Sequence, residues 1–313
     1  MYRSILVPLD GSTFGEHALP LALTIARRSG ATVQLAHVHV PSELMYAIGG
    51  IPIVDDTLDA PSRESERAYL EGLTQRLASA WDLSITSAVL DGPAAAALNE
   101  HAVQHGVGLV VMSTHGRGPV SRFWLGSVAD TLVRQAPMPV LLARPQQDSK
   151  ELLDLTHERA FKHMLIPLDG SRLAEDALQH AMALGTLVQA EYTLLQAIDP
   201  IIMDYAPVAR SAGLDEDLIE QWRVEAEAYL DQIAGRLRAQ SLTVHTAVVL
   251  APPAVAILEH ARQHAVDLIA MATHGRTGVS RMLLGSVADK VVRGATAPVL
   301  LHRPALYSGG QKD

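Results

Sequence analysis

Apolar and polar positions alternate along the chain in two rhythms, one of strands and one of helices. Arg3 to Leu9 is a short apolar run that stops at Pro8-Leu9-Asp10-Gly11-Ser12, the pattern of a buried strand meeting a turn. Ala18, Leu19, Leu21, Ala22, Ile25 and Ala26 then recur at helical spacing until Ser29-Gly30 ends the helix. Thr32 to Val40, rich in valine, reads as the second strand. Residues 41–62 hold three prolines and Gly49-Gly50 and read as a long mobile loop, after which Glu64 to Ala80 forms a charged amphipathic helix. Ile85 to Leu90 is the third strand, and Asp91-Gly92-Pro93 turns it into another helix with proline at an early position. Val107 to Ser113 is a near-continuous apolar run, as expected of a strand covered on both faces. A helix over Ser127 to Arg134 and a strand over Pro139 to Ala143 complete the series.

The whole order then returns. Ile5-Leu6-Val7-Pro8-Leu9-Asp10-Gly11-Ser12 reappears as Met164-Leu165-Ile166-Pro167-Leu168-Asp169-Gly170-Ser171, an offset of 159 residues. At the same offset Thr114-His115-Gly116-Arg117 and Gly126-Ser127-Val128-Ala129-Asp130 become Thr273-His274-Gly275-Arg276 and Gly285-Ser286-Val287-Ala288-Asp289. A fold needs its apolar pattern, not a shared Asp-Gly-Ser and Thr-His-Gly-Arg, so the repeat points at two copies of one site. Strands alternating with helices predict an α/β fold in each copy, a mostly parallel sheet with helices on both faces. The expected division is a first domain over residues 1–146, a linker over 147–160, a second domain over 161–305 and a tail over 306–313.

Composition narrows the function. The 313 residues are 48% apolar but only 4% aromatic, so the cores must be built from Ala, Leu, Val and Ile. With no cysteine, disulfide scaffolds, thiol catalysis and cysteine-bound zinc are excluded. Net charge is −9 with the signs interspersed and no Lys/Arg tract, which argues against a nucleic-acid partner. No stretch approaches 18 uninterrupted apolar residues and no leader precedes Arg3, so a cytoplasmic protein without membrane contact is expected.

The segment Ser113 to Asp130 carries the strongest chemical signal. It leaves a central strand, passes Gly116 and Gly118, and reaches a helix start at Gly126-Ser127. Such helix starts offer unpaired N–H groups to phosphate, and glycines let the backbone approach an anion. Asp10 and Asp169, each ending a first strand, would face the same crevice and accept hydrogen bonds from ribose hydroxyls. The plain alternative is that Ser127 and Asp130 form a capping box and Asp10-Gly11-Ser12 an ordinary turn. His101 and His105, and again His260 and His264, have metal-compatible spacing but no third ligand, so a solvated helix face is favoured and no metal site is expected. There is no Gly-x4-Gly-Lys-Ser/Thr, no Gly-x-Gly-x-x-Gly after the first strand and no Gly-x-Ser-x-Gly, which counts against P-loop, dinucleotide and esterase chemistry.

On these residues the chain resembles a tandem universal stress protein of the ATP-binding branch, over nearly the whole length of both repeats. In that branch the loop reads Gly-x2-Gly-x9-Gly-Ser/Thr. Gly116 and Gly275 match its second glycine, Gly126-Ser127 and Gly285-Ser286 its end, while Ser113 and Ala272 stand at its first. The resemblance implies two Rossmann-like domains, each an open five-stranded parallel sheet ordered 3-2-1-4-5. It also implies pairing of the two domains through their last strands, and leaves room for a homodimer. It places Asp10 and Asp169 beside the ribose, with Pro8, Leu9, Pro167 and Leu168 at the strand ends, and Val38 and Ala197 beside adenine. Met112, Ser113, Thr114, His115, Gly116, Arg117, Gly126, Ser127 and Val128 would line the first phosphate loop. Met271, Ala272, Thr273, His274, Gly275, Arg276, Gly285, Ser286 and Val287 would line the second. The implied ligand is ATP, with Mg²⁺ as its companion, in one or both repeats of a stress-response binding module. A slow ATPase or self-phosphorylating enzyme, and a nucleotide-free scaffold, are the alternatives. Repeat one is expected to bind more tightly, and a valine at Gly126 or Gly285 to fill the phosphate space.

Overall fold

The computed structural model describes residues 2–40, 45–46, 52–53, 56–114, 125–144, 155, 158–159, 161–199, 215–275 and 284–304. The chain divides into two compact units, Met1–Leu132 with Val140–Ala160, and Val133–Pro139 with Phe161–Asp313. Among the described residues no helix is long and apolar enough to cross a membrane.

Unit one carries β1 (Ser4–Pro8), α1 (Thr13–Glu16), α2 (Leu19–Ser29), β2 (Thr32–His39), the two-residue strands β3 (Met45–Tyr46) and β4 (Pro52–Ile53), and α3 (Asp56–Trp81). It continues with β5 (Ile85–Asp91), α4 (Ala94–Gln104), β6 (Leu109–Ser113), the start of α5 (Ser127–Gln135), and β7 (Val140–Ala143). Its main sheet runs β5-β2-β1-β6-β7 with every pair parallel. Unit two carries β8 (His163–Pro167), α6 (Arg172–Val188), β9 (Glu191–Ile198), α7 (Asp215–Arg238), β10 (Val244–Leu250), α8 (Pro253–Gln263), β11 (Leu268–Ala272), α9 (Ser286–Gly294) and β12 (Val299–His302). Its sheet runs β10-β9-β8-β11-β12, again all parallel. Both are therefore Rossmann-like α/β sheets of order 3-2-1-4-5.

The apolar runs explain the central strands. Ile5, Leu6 and Val7 in β1 and Met164, Leu165 and Ile166 in β8 have no exposed surface, because helices cover both faces of a parallel sheet. The outermost strands β5 and β10 are instead half-exposed along most of their length. Where unit two has one continuous helix, α6, unit one is broken into α1 and α2. Pro20 supplies the reason: it lacks an N–H and clashes in a helix interior, so α2 starts afresh with Pro20 in its first turn. Gln179 stands at that position in unit two and lets the helix run on.

Helix α3 begins at Asp56, eight residues before the Glu64 start read from periodicity, and takes in Pro61. The turn before Pro61 is held by side chains, with Asp59 Oδ2 at 2.7 Å from His39 Nε2. Described residues of the expected linker are tied to unit one. Trp81 Nε1 donates to the Leu155 carbonyl, Arg159 N donates to Thr24 Oγ1 at 2.9 Å, and Glu158 receives Arg28 at 2.7 Å and Arg27. The hydrogen bond from Arg28, together with Arg27, holds the Glu158 carboxyl below the usual range.

The i,i+4 histidines stack rather than spread. Ring centroids lie 4.1 Å apart for His101 and His105 and 3.9 Å apart for His260 and His264. Among the described residues no group of three or more His, Asp or Glu is placed to hold a metal ion. Burial, then His264 and His163, push His260 down to about 4. The fold thus favours neutral His260, and stability is whole above the free imidazole value of about 6.5. It is lost as pH falls from there toward about 4, where the unfolded chain binds a proton and the fold does not. His260→Gln should flatten that acid limb in melting temperatures recorded against pH.

Candidate functional site

In the order β5-β2-β1-β6-β7 the chain leaves β1 toward one edge and β6 toward the other. The reversal lies between β1 and β6, and in unit two between β8 and β11. Open α/β sheets take ligands in the crevice beyond the carboxyl ends of such strands. Asp10 follows β1 and Ser113 ends β6; Asp169 and Ala272 hold the same places in unit two.

The aspartates sit in matching turns. Asp10 Oδ1 accepts from Ser12 N at 3.0 Å and Ser12 Oγ at 2.6 Å, and Ser12 Oγ accepts from Gly15 N at 3.1 Å to cap α1. Asp169 Oδ1 accepts from Ser171 N and Oγ at the same distances, and Ser171 Oγ accepts from Ala174 N at 3.2 Å to cap α6. Gly11 and Gly170 between them have φ of +75° and +83°, a conformation an L side chain resists. One carboxylate oxygen is thus spent on holding the turn. The bonds Asp10 accepts from Ser12 go to Oδ1 alone.

The loop comes back to the same strand ends through one peptide group in each unit. Thr114 N donates to the Ala143 carbonyl at 3.0 Å, and the Thr114 carbonyl accepts from Gly126 N at 2.9 Å. Thr273 repeats this with His302 O at 2.8 Å and Gly285 N at 2.9 Å. A Cβ on Gly285 would lie 2.8 Å from Thr273 O, so glycine is what permits the approach there, and one on Gly126 would make a tight contact of 3.3 Å with Thr114 O. Gly275 is also pressed on the site: a Cβ there would overlap Asp169 Oδ2.

The capping-box alternative fails in unit two. Gly285 is the cap residue, Ser286 is already helical and makes no side-chain cap, and Asp289 pairs with Arg293 at 2.9 Å. Asp289 N and Asp130 N make the first intrahelical bonds, to Gly285 O and Gly126 O at 2.9 Å. The amides just before them, Ser286 and Val287 among them, have no intrahelical acceptor, the arrangement that suits an anion at a helix start. His274 lies beside them with Nδ1 3.0 Å from Thr273 Oγ1, and its buried Nε2 has no partner among the described residues.

Pro8 and Pro167 end their strands half-buried, and Leu9 and Leu168 are buried with N–H groups donated to Ala36 O and Leu195 O at 2.8 Å. Val38, Met112, Ser113, Met271 and Ala272 are buried at strand ends. Ala197, Val128 and Val287 are half-buried, and Ser127 and Ser286 are exposed. His115, Gly116, Arg117 and Arg276 lie outside the described residues. Sequence reasoning overlooked His37, whose Nδ1 meets the Leu9 carbonyl at 2.9 Å, and its neighbour His39. Their only signal was replacement in repeat two, by Gln196 and Ile198.

A doubly wound α/β unit with an aspartate turn and a glycine-bounded loop at its switch point, present twice, defines the class of protein. The sequence pattern of the universal stress protein family matches residues 1–144 and again 160–303, and the chain belongs to that family. A universal stress protein of Mycolicibacterium smegmatis is 26% identical over 309 residues, covering 96% of this chain and 97% of its own. One from Methanocaldococcus jannaschii is 32% identical over 144 residues, 46% of this chain and 83% of its own. The crystal structure of a universal stress protein from Archaeoglobus fulgidus aligns with a TM-score of 0.67 at 19% identity, over 96% of this chain and 98% of that one.

Proposed function

We propose that the chain binds ATP in the switch-point crevice of one or both units, and acts as a regulatory binding module in a cytoplasmic stress response. The observation that carries this reading is the twofold occurrence of one cradle. In each unit an aspartate held by its serine stands at the end of the first strand, and a helix start is drawn up by a threonine carbonyl at the end of the fourth. A carboxylate suits ribose hydroxyls, and helix-start amides suit phosphate oxygens. His274 Nε2, buried and without a partner among the described residues, and the lack of room for a Cβ on Gly275 and Gly285 fit a phosphate chain lying close to the backbone. Mg²⁺ would arrive on the phosphates and keep most of its waters. We further propose that the units pair along residues 139–143 and 298–302, each the last strand in its own sheet, because an uncovered strand edge invites aggregation.

Mg-ATP should stabilise the fold. At about 100 times the dissociation constant, linkage adds roughly 2.7 kcal/mol per occupied site. Adenosine should add less, since helix-start amides would lack phosphate partners. Melting curves unchanged at millimolar Mg-ATP, with no nucleotide released from freshly purified protein on denaturation, would leave the scaffold reading in its place.

A further inference from the structure

Beside the unit-one crevice lies a buried polar cluster that nucleotide binding does not explain. His39, its side chain wholly buried, ends β2. Its Nδ1 is 2.7 Å from Glu66 Oε2 and its Nε2 2.7 Å from Asp59 Oδ2, both on α3. His37, two residues earlier, puts Nε2 3.4 Å from Glu66 Oε1 while its Nδ1 meets the Leu9 carbonyl. Arg63 of α3 reaches Asp59 Oδ2 at 3.2 Å and Asp91 Oδ1 at 2.5 Å, and Asp91 is the β5 residue in register with His39. From β1 the cluster meets the Leu9 carbonyl, with Asp10 next in the chain.

Counting protons is informative. Ionised carboxylates only accept, and a neutral imidazole carries one hydrogen. It can therefore satisfy one of the two 2.7 Å contacts of His39. For both to be hydrogen bonds the cluster must hold one more proton, on the ring or on a carboxylate. Without it a nitrogen lone pair faces a carboxylate oxygen where little water can intervene, and the repulsion is strong. The consequence falls on the site, because Val38 lies between the two histidines and Leu9 is held by His37.

Among the described residues of unit two the matching positions lack the two histidines and the two carboxylates. His37 and His39 become Gln196 and Ile198. On the helix, Tyr69 bonds Glu16 as Tyr229 bonds Glu175, and buried Leu70, Leu73 and Leu77 match Leu230, Ile233 and Leu237. That alignment sets Ala226 against Glu66 and Ile219 against Asp59.

We propose that the cluster is a proton-held clasp that fixes the base-side wall of the unit-one crevice and releases it as pH rises, lowering ligand affinity in unit one alone. The affinity half rests on the nucleotide reading above; the clasp does not. The test uses the full chain, a fourfold variant carrying the residues of unit two (His37→Gln, His39→Ile, Asp59→Ile, Glu66→Ala), and the milder Glu66→Gln, whose amide can donate to a neutral ring. Amide hydrogen exchange at residues 8–10 and 36–39, corrected for its intrinsic pH dependence, is followed from about pH 5.5 to about pH 9. ATP is titrated calorimetrically over the same range with unit two silenced by Gly285→Val. In the native chain protection should fall by at least about tenfold with rising pH. ATP affinity should fall by at least about fivefold. Both variants should show neither trend. Exchange profiles that are the same in the native chain and both variants overturn the clasp. Differing exchange with ATP affinities of equal pH dependence overturns its link to the ligand. A pH-dependent clasp with no ATP bound at any pH supports the clasp and sinks the nucleotide reading instead.

Discussion

Gly285→Val is expected to abolish ATP binding in unit two and to lower the unfolding free energy by about 1–3 kcal/mol, the usual cost of overpacking. The reason differs from the one periodicity and motif suggest. A side chain at Gly285 does not simply fill the phosphate space: its Cβ would lie 2.8 Å from Thr273 O and 3.8 Å from His274 Cα. The helix start must therefore back away from the strand end, carrying the Ser286 and Val287 amides with it. Gly126 has a looser approach, 3.3 Å to Thr114 O, so Gly126→Ala should be tolerated where Gly285→Ala is not. Calorimetric titration with ATP and urea unfolding of the three variants check both halves. Equal costs for the two alanines would show that the strand-end approach is not what selects glycine.

Leu165→Ala should cost about 2–5 kcal/mol in urea unfolding. Leu165 has no exposed surface and lies in β8, paired on one side with Thr193 of β9 and on the other with Ile269 of β11. Neighbours on a strand bonded along both edges cannot close in to fill the space, so the cavity term is retained. The same strand ends at Pro167, directly before Leu168 and Asp169, so on the proposed nucleotide reading ATP affinity in unit two should weaken along with stability. A loss below about 1 kcal/mol would mean that the sheet relaxes around the cavity.

The sheet was legible because its central strands are buried on both faces and leave uninterrupted apolar runs such as Ile5-Leu6-Val7. The strand order came with the family resemblance, and the twofold site with the repeat itself, since Asp10-Gly11-Ser12 and Gly126-Ser127 return unchanged. What escaped depends on partners distant in the chain. Asp59 starts α3 early by meeting His39, 20 residues away, a contact no periodicity records. The break between α1 and α2 was written in Pro20, yet reads as a break only beside the unbroken α6. Ser127 and Asp130 spell a capping box, and the matching helix in unit two starts on glycine, whose amide is held by the strand-end carbonyl.

The threonine peptide groups also bear on how this protein can change over evolutionary time. Each ties both ends of a loop to one fixed point, Thr114 to Gly126 and Thr273 to Gly285. A chain pinned at both ends pays a closure entropy that grows by only about 0.6 kcal/mol for each doubling of its length. A change of length between the pins therefore costs the sheet little, and the copies already differ in sequence there, with Pro119 in one and Gly278 in the other. Change between the pins can therefore accumulate one copy at a time, while the sheet and the other copy stay as they are.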